Sequence, residues 1–350
     1  MIRYLLLVII TVFSIDLSAQ MEVNGVTLFG NEWIDYEKQY AKITVDSDGI
    51  YRITRQELAD NGISVNTISF DKLHMWNYGK EVGFFIGPND SYIEFFAEKN
   101  KIQLDKFLYE NEDHILNRNY SFVSDDAAYF ITWTNETNSL VFDQSEVNLN
   151  GNTIAPEQFY MHKEVVTSNL THYKPTLGDQ VRYSNFVSSE GYGTGLEATN
   201  TLSVPVDYKS SANVEGQVYI RYGGNNVFHR TDITINGEDM GQISSIRDTV
   251  QILNFPVSSD LIGNNKVDVT VAGTIMSNNT IADKNTISEV SVTYPREFHI
   301  GGANSHTIFL SPSSSKRYIE LDGYNGSELP IIYDIQNATK ILPELLEDGR

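Results

Sequence analysis

Apolar and polar residues alternate in short stretches along most of the chain. The two-residue period is clearest in the second half, where it covers residues 216–222, 232–241, 265–271 and 287–294. A strand with one buried face has this period, because successive side chains point to opposite sides of the sheet. Short strands at this spacing, with almost no helical period, predict a mainly β protein of antiparallel β-sandwich or jelly-roll modules in tandem, with few short helices.

The first half shows the same rhythm, interrupted by turns. Residues 41–53 alternate on both sides of Asp46-Ser-Asp-Gly49, which predicts a β-hairpin. Thr54 and Glu57 then form the T-x-x-E pattern of a capping box. They predict a short helix near 55–60 that ends by Gly62, where glycine permits a left-handed cap. Further strands are predicted at residues 73–78, 91–96 and 128–133.

Changes in this rhythm predict the module boundaries. Residues 144–157 lose the aromatic density of the preceding strands and indicate a connection. We therefore predict a β-rich module over residues 20–157 and a β-sandwich over 158–297, in which Asn236-Gly237 marks a two-residue hairpin turn. Residues 298–350 begin again with strand-like segments at 307–310, 318–321 and 330–334, and we predict them as the start of a truncated third module.

The first nineteen residues have a different character. Arg3 precedes an apolar run over residues 5–13, and Leu17-Ser-Ala19 is a small-residue cleavage site. This is the pattern of a secretory signal peptide. We predict cleavage between Ala19 and Gln20, and export through the inner membrane. The apolar run is shorter than the roughly 20 residues that a membrane-spanning helix needs, and the mature chain is predicted to contain no such helix.

Composition narrows the function. The formal charge is −21, which disfavours nucleic acid and anionic membrane surfaces as partners. The chain has no cysteine, so thiolate nucleophiles, disulfides and Cys-ligated metal sites are excluded. The 20 tyrosines, 17 phenylalanines and 24 glycines agree with strands and tight turns.

Two groups of residues are candidate metal ligands. Asp46 and Asp48 give a D-x-D-G pattern, and Glu57 fills the twelfth position that an EF-hand requires. The intervening residues are predicted as a strand and a helix cap, so we predict a turn and no cofactor, with calcium at Asp46 and Asp48 as the open alternative. His162 and Glu164 alternate as a metal pair could, but a surface or hydrogen-bonded core histidine is the favoured interpretation.

Other motifs give no site. Gly191, Gly193 and Gly195 form G-x-G-x-G without the βαβ context of a dinucleotide site, which indicates a loop. No G-x-S-x-G nucleophile motif occurs. The tryptophans at 33, 76 and 133 could form a stacking platform for sugars, although aromatic residues in strands are first of all core residues. No catalytic or cofactor-binding residue is predicted.

Several segments follow one another as in a known family: 32–36, 40–58, 77–82, 92–105, 128–133, 188–191 and 290–296. Together they resemble the N-terminal half of the gingipain-family cysteine peptidases of Bacteroidetes, over nearly all of residues 30–340. The chain departs from the family at Ser189-Glu-Gly-Tyr-Gly193, where a Gly-Glu-Gly-Trp-like stretch is usual.

The resemblance implies a context and no catalytic residue. In that family, the catalytic His and Cys lie in a caspase-like domain that follows these β modules, and this chain has no cysteine. The resemblance implies an outer-membrane, cell-surface or extracellular location in the type IX secretion pathway. The implied partners are the chain's own downstream catalytic domain or other components of that pathway. Exported proteins would be the substrates of the full-length cysteine endopeptidase.

Three function classes stay open from the sequence. The first is a non-catalytic region that positions or chaperones a peptidase domain. The second is a free-standing carbohydrate-binding or adhesion protein of the cell envelope. The third is a hydrolase with paired carboxylates, which the many Asp and Glu residues permit without indicating any one pair.

Overall fold

The protein is described by a computed structural model that covers residues 21–23, 26–28, 31–63, 65–174, 188–224, 228–246, 249–274, 283–347 and 349–350. Antiparallel strands dominate this part of the chain, which confirms the predicted fold class. The helices are short: α1 (Arg55–Asp60), α2 (Ser259–Ile262) and 3-10 turns at Phe70–Lys72, Pro88–Asp90, Asp105–Leu108 and Glu112–His114. The predicted cleavage site Ala19–Gln20 lies outside the described residues.

The first module contains two antiparallel sheets. Its strands are β1 (Met21–Val23), β2 (Val26–Leu28), β3 (Ala41–Val45), β4 (Gly49–Thr54), β5 (Leu73–Asn77), β6 (Lys80–Val82), β7 (Phe85–Ile86), β8 (Tyr92–Ala97), β9 (Ala127–Trp133) and β10 (Asp143–Glu146). One sheet has the order β3-β9-β5-β6 and the other has the order β4-β8-β7, while β1 and β2 pair with each other. Alternate side chains of both sheets, with Leu58 of α1, form one buried core.

The predicted hairpin at residues 41–53 is wrong in its pairing. Both strands exist, but β3 pairs with β9 and β4 pairs with β8. Their inner side chains, such as Val45 and Ile53, meet at the common core from different sheets. Alternation determines which side chains face the core, but it does not select the neighbouring strand. Gly49 lies within β4 without the positive φ that a tight hairpin turn would use.

Helix α1 confirms the predicted capping box. The Thr54 hydroxyl accepts a hydrogen bond from the Glu57 backbone amide, and the Glu57 carboxylate accepts one from the Thr54 backbone amide at 2.7 Å. This hydrogen bonding lowers the pKa of Glu57. Gly62 follows with φ +88°, as expected for the residue after a helix end.

The second module is a β-sandwich. Its strands are β11 (Tyr160–Thr167), β12 (Thr171–Tyr173), β13 (Gly191–Gly193), β14 (Thr199–Pro205), β15 (Gly216–Gly224), β16 (Phe228–Ile235), β17 (Glu238–Ile246), β18 (Gln251–Val257), β19 (Lys266–Gly273) and β20 (Asn285–Arg296). Sheets β11-β20-β15-β18 and β14-β19-β16-β17 contribute to one core of mostly Val and Ile side chains. The pair β12–β13 lies beside them.

Two turn predictions in this module have different outcomes. Asn236 and Gly237 both have positive φ, 48° and 83°, and join β16 to β17 as the sequence predicted. The G-x-G-x-G stretch was predicted as a loop, but Gly191–Gly193 is strand β13. A glycine there fits close packing, because a Cβ on Gly193 would lie 2.4 Å from the Thr286 hydroxyl oxygen.

The segment after residue 298 returns to the first module. Its strands β21 (Ile332–Asp334) and β22 (Thr339–Leu342) form a sheet with β10, in which β10 and β22 are parallel. Residues 144–146 of β10 were predicted as part of a connection, and the strand lacks alternation because all four of its residues are exposed. The predicted strands 307–310 and 318–321 are not regular strands, although Tyr318 forms an isolated bridge with Pro156. The division of the chain at 157 and 297 stays a prediction.

Among the described residues, no helix has the length and apolar character needed to cross a membrane.

Candidate functional site

The two modules meet through a junction between residues 109–122 of the first and β12, β13, β15 and β20 of the second. Arg221 of β15 lies at its centre and is 0% exposed. Its Nε donates to the carbonyls of Ile115 at 2.9 Å and Leu116 at 3.1 Å, and its Nη2 donates to the Asp113 carbonyl at 3.0 Å. Burial lowers the pKa of this guanidinium. A buried charge of this kind is tolerated only while its hydrogen bonds persist.

Backbone groups also join the modules at the junction. The Ser189 amide donates to the His114 carbonyl at 2.9 Å, and the Leu116 amide donates to the Glu190 carbonyl at 3.4 Å. The Ser288 hydroxyl donates to the Leu116 carbonyl at 2.5 Å. Several backbone groups of segment 113–117 are therefore hydrogen-bonded to the second module.

The rim of the junction carries an aromatic group. The ring of Phe122 is 5.1 Å from that of Tyr192 and 5.0 Å from that of His172. The buried Glu190 carboxylate lies 3.6 Å from His172 Nε2 and 3.6 Å from Lys174 Nζ. The order of the sequence gives no sign of this group, because its members come from both modules.

His162 and Glu164, the weaker candidate metal pair, lie on one face of β11 as predicted, with Nε2 3.0 Å from Oε2. They belong to a polar cluster that we call the edge cluster: Tyr160, His162, Glu164, Arg296 and His306. His306 stacks on His162 with ring centroids 5.9 Å apart, and its Nε2 is 2.8 Å from the Tyr160 hydroxyl. Burial, then the charges of Arg296 and His162, lowers the pKa of His306. These contacts favour a hydrogen-bonded cluster with neutral His306.

A cavity of about 490 Å³ lies beside the edge cluster. It is lined by residues 155–161 together with Phe298, Phe309, Leu310, Ser311 and Arg317. Tyr160 belongs to both features, because it lines the cavity and its hydroxyl contacts His306. Sequence reasoning missed this cavity, since its two walls are more than a hundred residues apart.

A second polar contact holds the C-terminal segment on the first module. Glu94 of β8 and Lys340 of β22 are both buried, and Lys340 Nζ lies 3.0 Å from Glu94 Oε2. The Tyr333 hydroxyl donates to the same carboxylate, and Arg52 Nε donates to its other oxygen at 2.8 Å. Burial opposes ionisation of Glu94, but these hydrogen bonds outweigh it and lower its pKa.

Asp46 and Asp48 already have protein partners. Asp48 accepts the Lys99 amide at 2.9 Å and lies 3.1 Å from Lys101 Nζ, while Asp46 accepts the Ser47 hydroxyl at 3.1 Å. A calcium ion at Asp48 would meet the Lys101 ammonium group. Within the described residues, no group of three metal-capable side chains is found. The interpretation of this loop as a turn without metal stays a prediction.

The three tryptophans do not form one platform. Trp33 stacks on Trp76 at 5.8 Å and contacts Phe130 at 5.3 Å, on the face of the β3-β9-β5-β6 sheet opposite the core. Trp133 packs against the core of the first module. Trp33 therefore covers the sheet face that Trp76 would present to a sugar.

The buried carboxylates contact nitrogen donors. Glu94 and Glu190 are described above, and three further buried carboxylates do the same. Asp283 lies 3.0 Å from His229 Nδ1. Glu289 accepts a hydrogen bond from the Asn119 side-chain amide at 2.9 Å, and Asp105 accepts one from the Phe122 backbone amide at 2.6 Å. These arrangements hold the structure together. They do not give the two facing carboxyl groups that the hydrolase hypothesis requires.

Comparison of the sequence with protein-family models and with curated proteins finds no match. Comparison with solved structures finds similarity to latent dimeric PorU from Porphyromonas gingivalis. The two are 13% identical with a TM-score of 0.46, over 79% of this chain and 26% of that one. This chain thus spans about a quarter of the PorU chain.

Shorter similarities concern other β proteins. A CBM36 domain of a xylanase from the hindgut metagenome of Trinervitermes trinervoides matches 37% of this chain and 96% of its own, at 14% identity and a TM-score of 0.22. The uncharacterized protein lmo2446 of Listeria monocytogenes matches 74% of this chain and 19% of its own, at 10% identity and a TM-score of 0.24. Similarity at these levels does not assign a function.

Proposed function

We propose that this chain is the non-catalytic N-terminal region of a surface gingipain-family cysteine peptidase of the type IX secretion pathway. Its role is to position or chaperone a downstream caspase-like catalytic domain. The segments that resemble this family motivate the context, including the exported, outer-membrane or extracellular location. The observation that carries the positioning role is the junction around Arg221.

The junction suits a rigid support. Modules joined by a small polar contact normally move relative to each other. Here separation would leave Arg221, fully buried and bonded to three carbonyls of the other module, without those partners. The net contribution of a hydrogen bond to a charged group is typically about 1.5–3 kcal/mol, because separation would return both partners to water. The contact of Glu94 with Lys340 ties residues 332–342 to the same body.

Peptidase assays test this proposal. The purified 350-residue chain should not cleave denatured casein or fluorogenic peptides that end in Arg or Lys, because a thiolate mechanism needs a cysteine that it lacks. A longer polypeptide that includes the downstream frame should cleave them. Cleavage by the 350-residue chain that resists thiol-directed inhibitors would contradict the proposal.

The positioning role has a separate test in the longer polypeptide. Arg221→Met should reduce the yield or activity of the peptidase, whereas Arg230→Met, on the exposed side chain of β16, should not. Equal activity of the two variants would reject the positioning role.

The second candidate function is carbohydrate binding or adhesion. The specific observation that favours it is the aromatic cavity beside the edge cluster.

A further inference from the structure

The cavity has the volume of a small-ligand site. Pockets for small ligands are usually about 300–1,000 Å³, and this one measures about 490 Å³. Phe298 and Tyr160 form a buried part of its wall, with ring centroids 5.0 Å apart. Phe309 also lines the cavity and is 73% exposed, so its side chain is accessible to a ligand.

The wall around Tyr160 is held in place before any ligand arrives. The Tyr160 hydroxyl contacts His306 Nε2 at 2.8 Å, and His306 stacks on His162. Burial raises the pKa of Tyr160 to about 12, so its hydroxyl stays protonated at neutral pH. A preorganised wall costs less ordering free energy on binding.

The charged groups of the cavity cancel each other. Arg317 Nε and Glu157 Oε1 lie 3.7 Å apart on the cavity wall. At that separation each retains hydrogen-bonding capacity, Arg317 as a donor and Glu157 as an acceptor. The site therefore combines aromatic side chains with polar side chains that donate and accept hydrogen bonds, and its charged side chains have no excess charge.

We propose that this cavity binds a unit of a neutral glycan. A sugar ring has apolar C–H faces, which pack on the exposed Phe309 ring, and a rim of hydroxyls, which Glu157 and Arg317 bind. An acidic glycan is disfavoured, because the chain carries a net charge of −21 and the one cavity cation is paired. The proposal rests on the second candidate function and adds its site and ligand class.

Electrophoresis of the native protein in gels containing a polysaccharide tests the proposal. The panel contains neutral polymers of xylose, mannose and glucose, with polygalacturonate as the acidic polymer. At least one neutral polymer should retard the chain, while polygalacturonate should not. Phe309→Ala should weaken that retardation about tenfold, the scale of losing an aromatic contact. The matched control Phe228→Ala removes another exposed aromatic ring, on β16, and should leave it unchanged.

Each outcome decides one point. Retardation that Phe309→Ala leaves intact would overturn the cavity as the site, while carbohydrate binding itself would stand. Retardation by polygalacturonate alone would overturn the neutral ligand class. No retardation by any polymer would overturn both this inference and the second candidate function, and would leave the peptidase-support proposal to its own assays.

Discussion

At the scale of single residues, the sequence shows which side chains alternate but not what they meet. The alternation of His162 and Glu164 is visible in the chain, and their contact at 3.0 Å agrees with it. Their neighbour His306 lies about 140 positions away, and no local pattern connects them. Arg221 likewise occupies an outward position of a predicted strand. Only the fold shows that segment 113–117 covers it.

The lowered pKa of His306 predicts a pH-dependent stability. Its ordinary value is 6.5, and burial beside Arg296 and His162 lowers it in the folded protein. Between the folded value and 6.5, the unfolded chain binds more protons than the folded one, so stability falls as pH drops below 6.5. A protonated imidazole also cannot accept a hydrogen bond from the Tyr160 hydroxyl.

Urea unfolding at pH 7.5, 6.5 and 5.5 measures this dependence. Wild type should lose more of its free energy of unfolding between pH 7.5 and 5.5 than His306→Gln does. Equal slopes for wild type and His306→Gln would contradict the assignment.

At the scale of elements, turn chemistry explains why one predicted hairpin is correct and the other is not. Asn236 and Gly237 both adopt the positive φ that a type I′ turn needs, so the neighbouring strands must pair. Gly49 does not have a positive φ, and β3 and β4 belong to different sheets. The Asn-Gly dipeptide therefore predicted a hairpin correctly, whereas the alternation around Asp46–Gly49 did not.

Gly237→Ala tests the turn directly. A Cβ there meets nothing within 4 Å, so its effect comes from the backbone, where φ is +83°. A left-handed conformation costs a residue with a Cβ roughly 1–2 kcal/mol, and we expect that loss in the free energy of unfolding from urea titration. Gly195→Ala is the control, because that glycine has no left-handed φ and its nearest neighbour is 3.8 Å away. A Gly237→Ala variant as stable as wild type would rule out the turn.

At the scale of the whole molecule, the fold class was predictable and the docking was not. Alternation and turn residues are local, and they were sufficient for tandem β modules with short helices. The pairing of β10 with β22 joins positions almost two hundred residues apart, and its exposed strand lacks the alternation that would reveal it. The polar and apolar groups of the junction come from distant parts of the chain, so local patterning gave no sign of it either.

The junction predicts that the two modules unfold together. Opening it would replace the hydrogen bonds of the Arg221 guanidinium to the carbonyls of Asp113, Ile115 and Leu116 by hydrogen bonds to water, and each such bond contributes a net stabilisation of about 1.5–3 kcal/mol. Neither module then unfolds alone at a lower temperature. Scanning calorimetry of the chain should show one transition, with calorimetric and van't Hoff enthalpies equal. Arg221→Met removes the charge and leaves those carbonyls unsatisfied, so the transition should move to lower temperature and separate into two. Arg230→Met removes an exposed charge of the same module and should preserve the single transition.

Two transitions in the wild-type chain, or one unshifted transition in Arg221→Met, would show that the modules are not joined through this residue, and the positioning role would lose its physical basis.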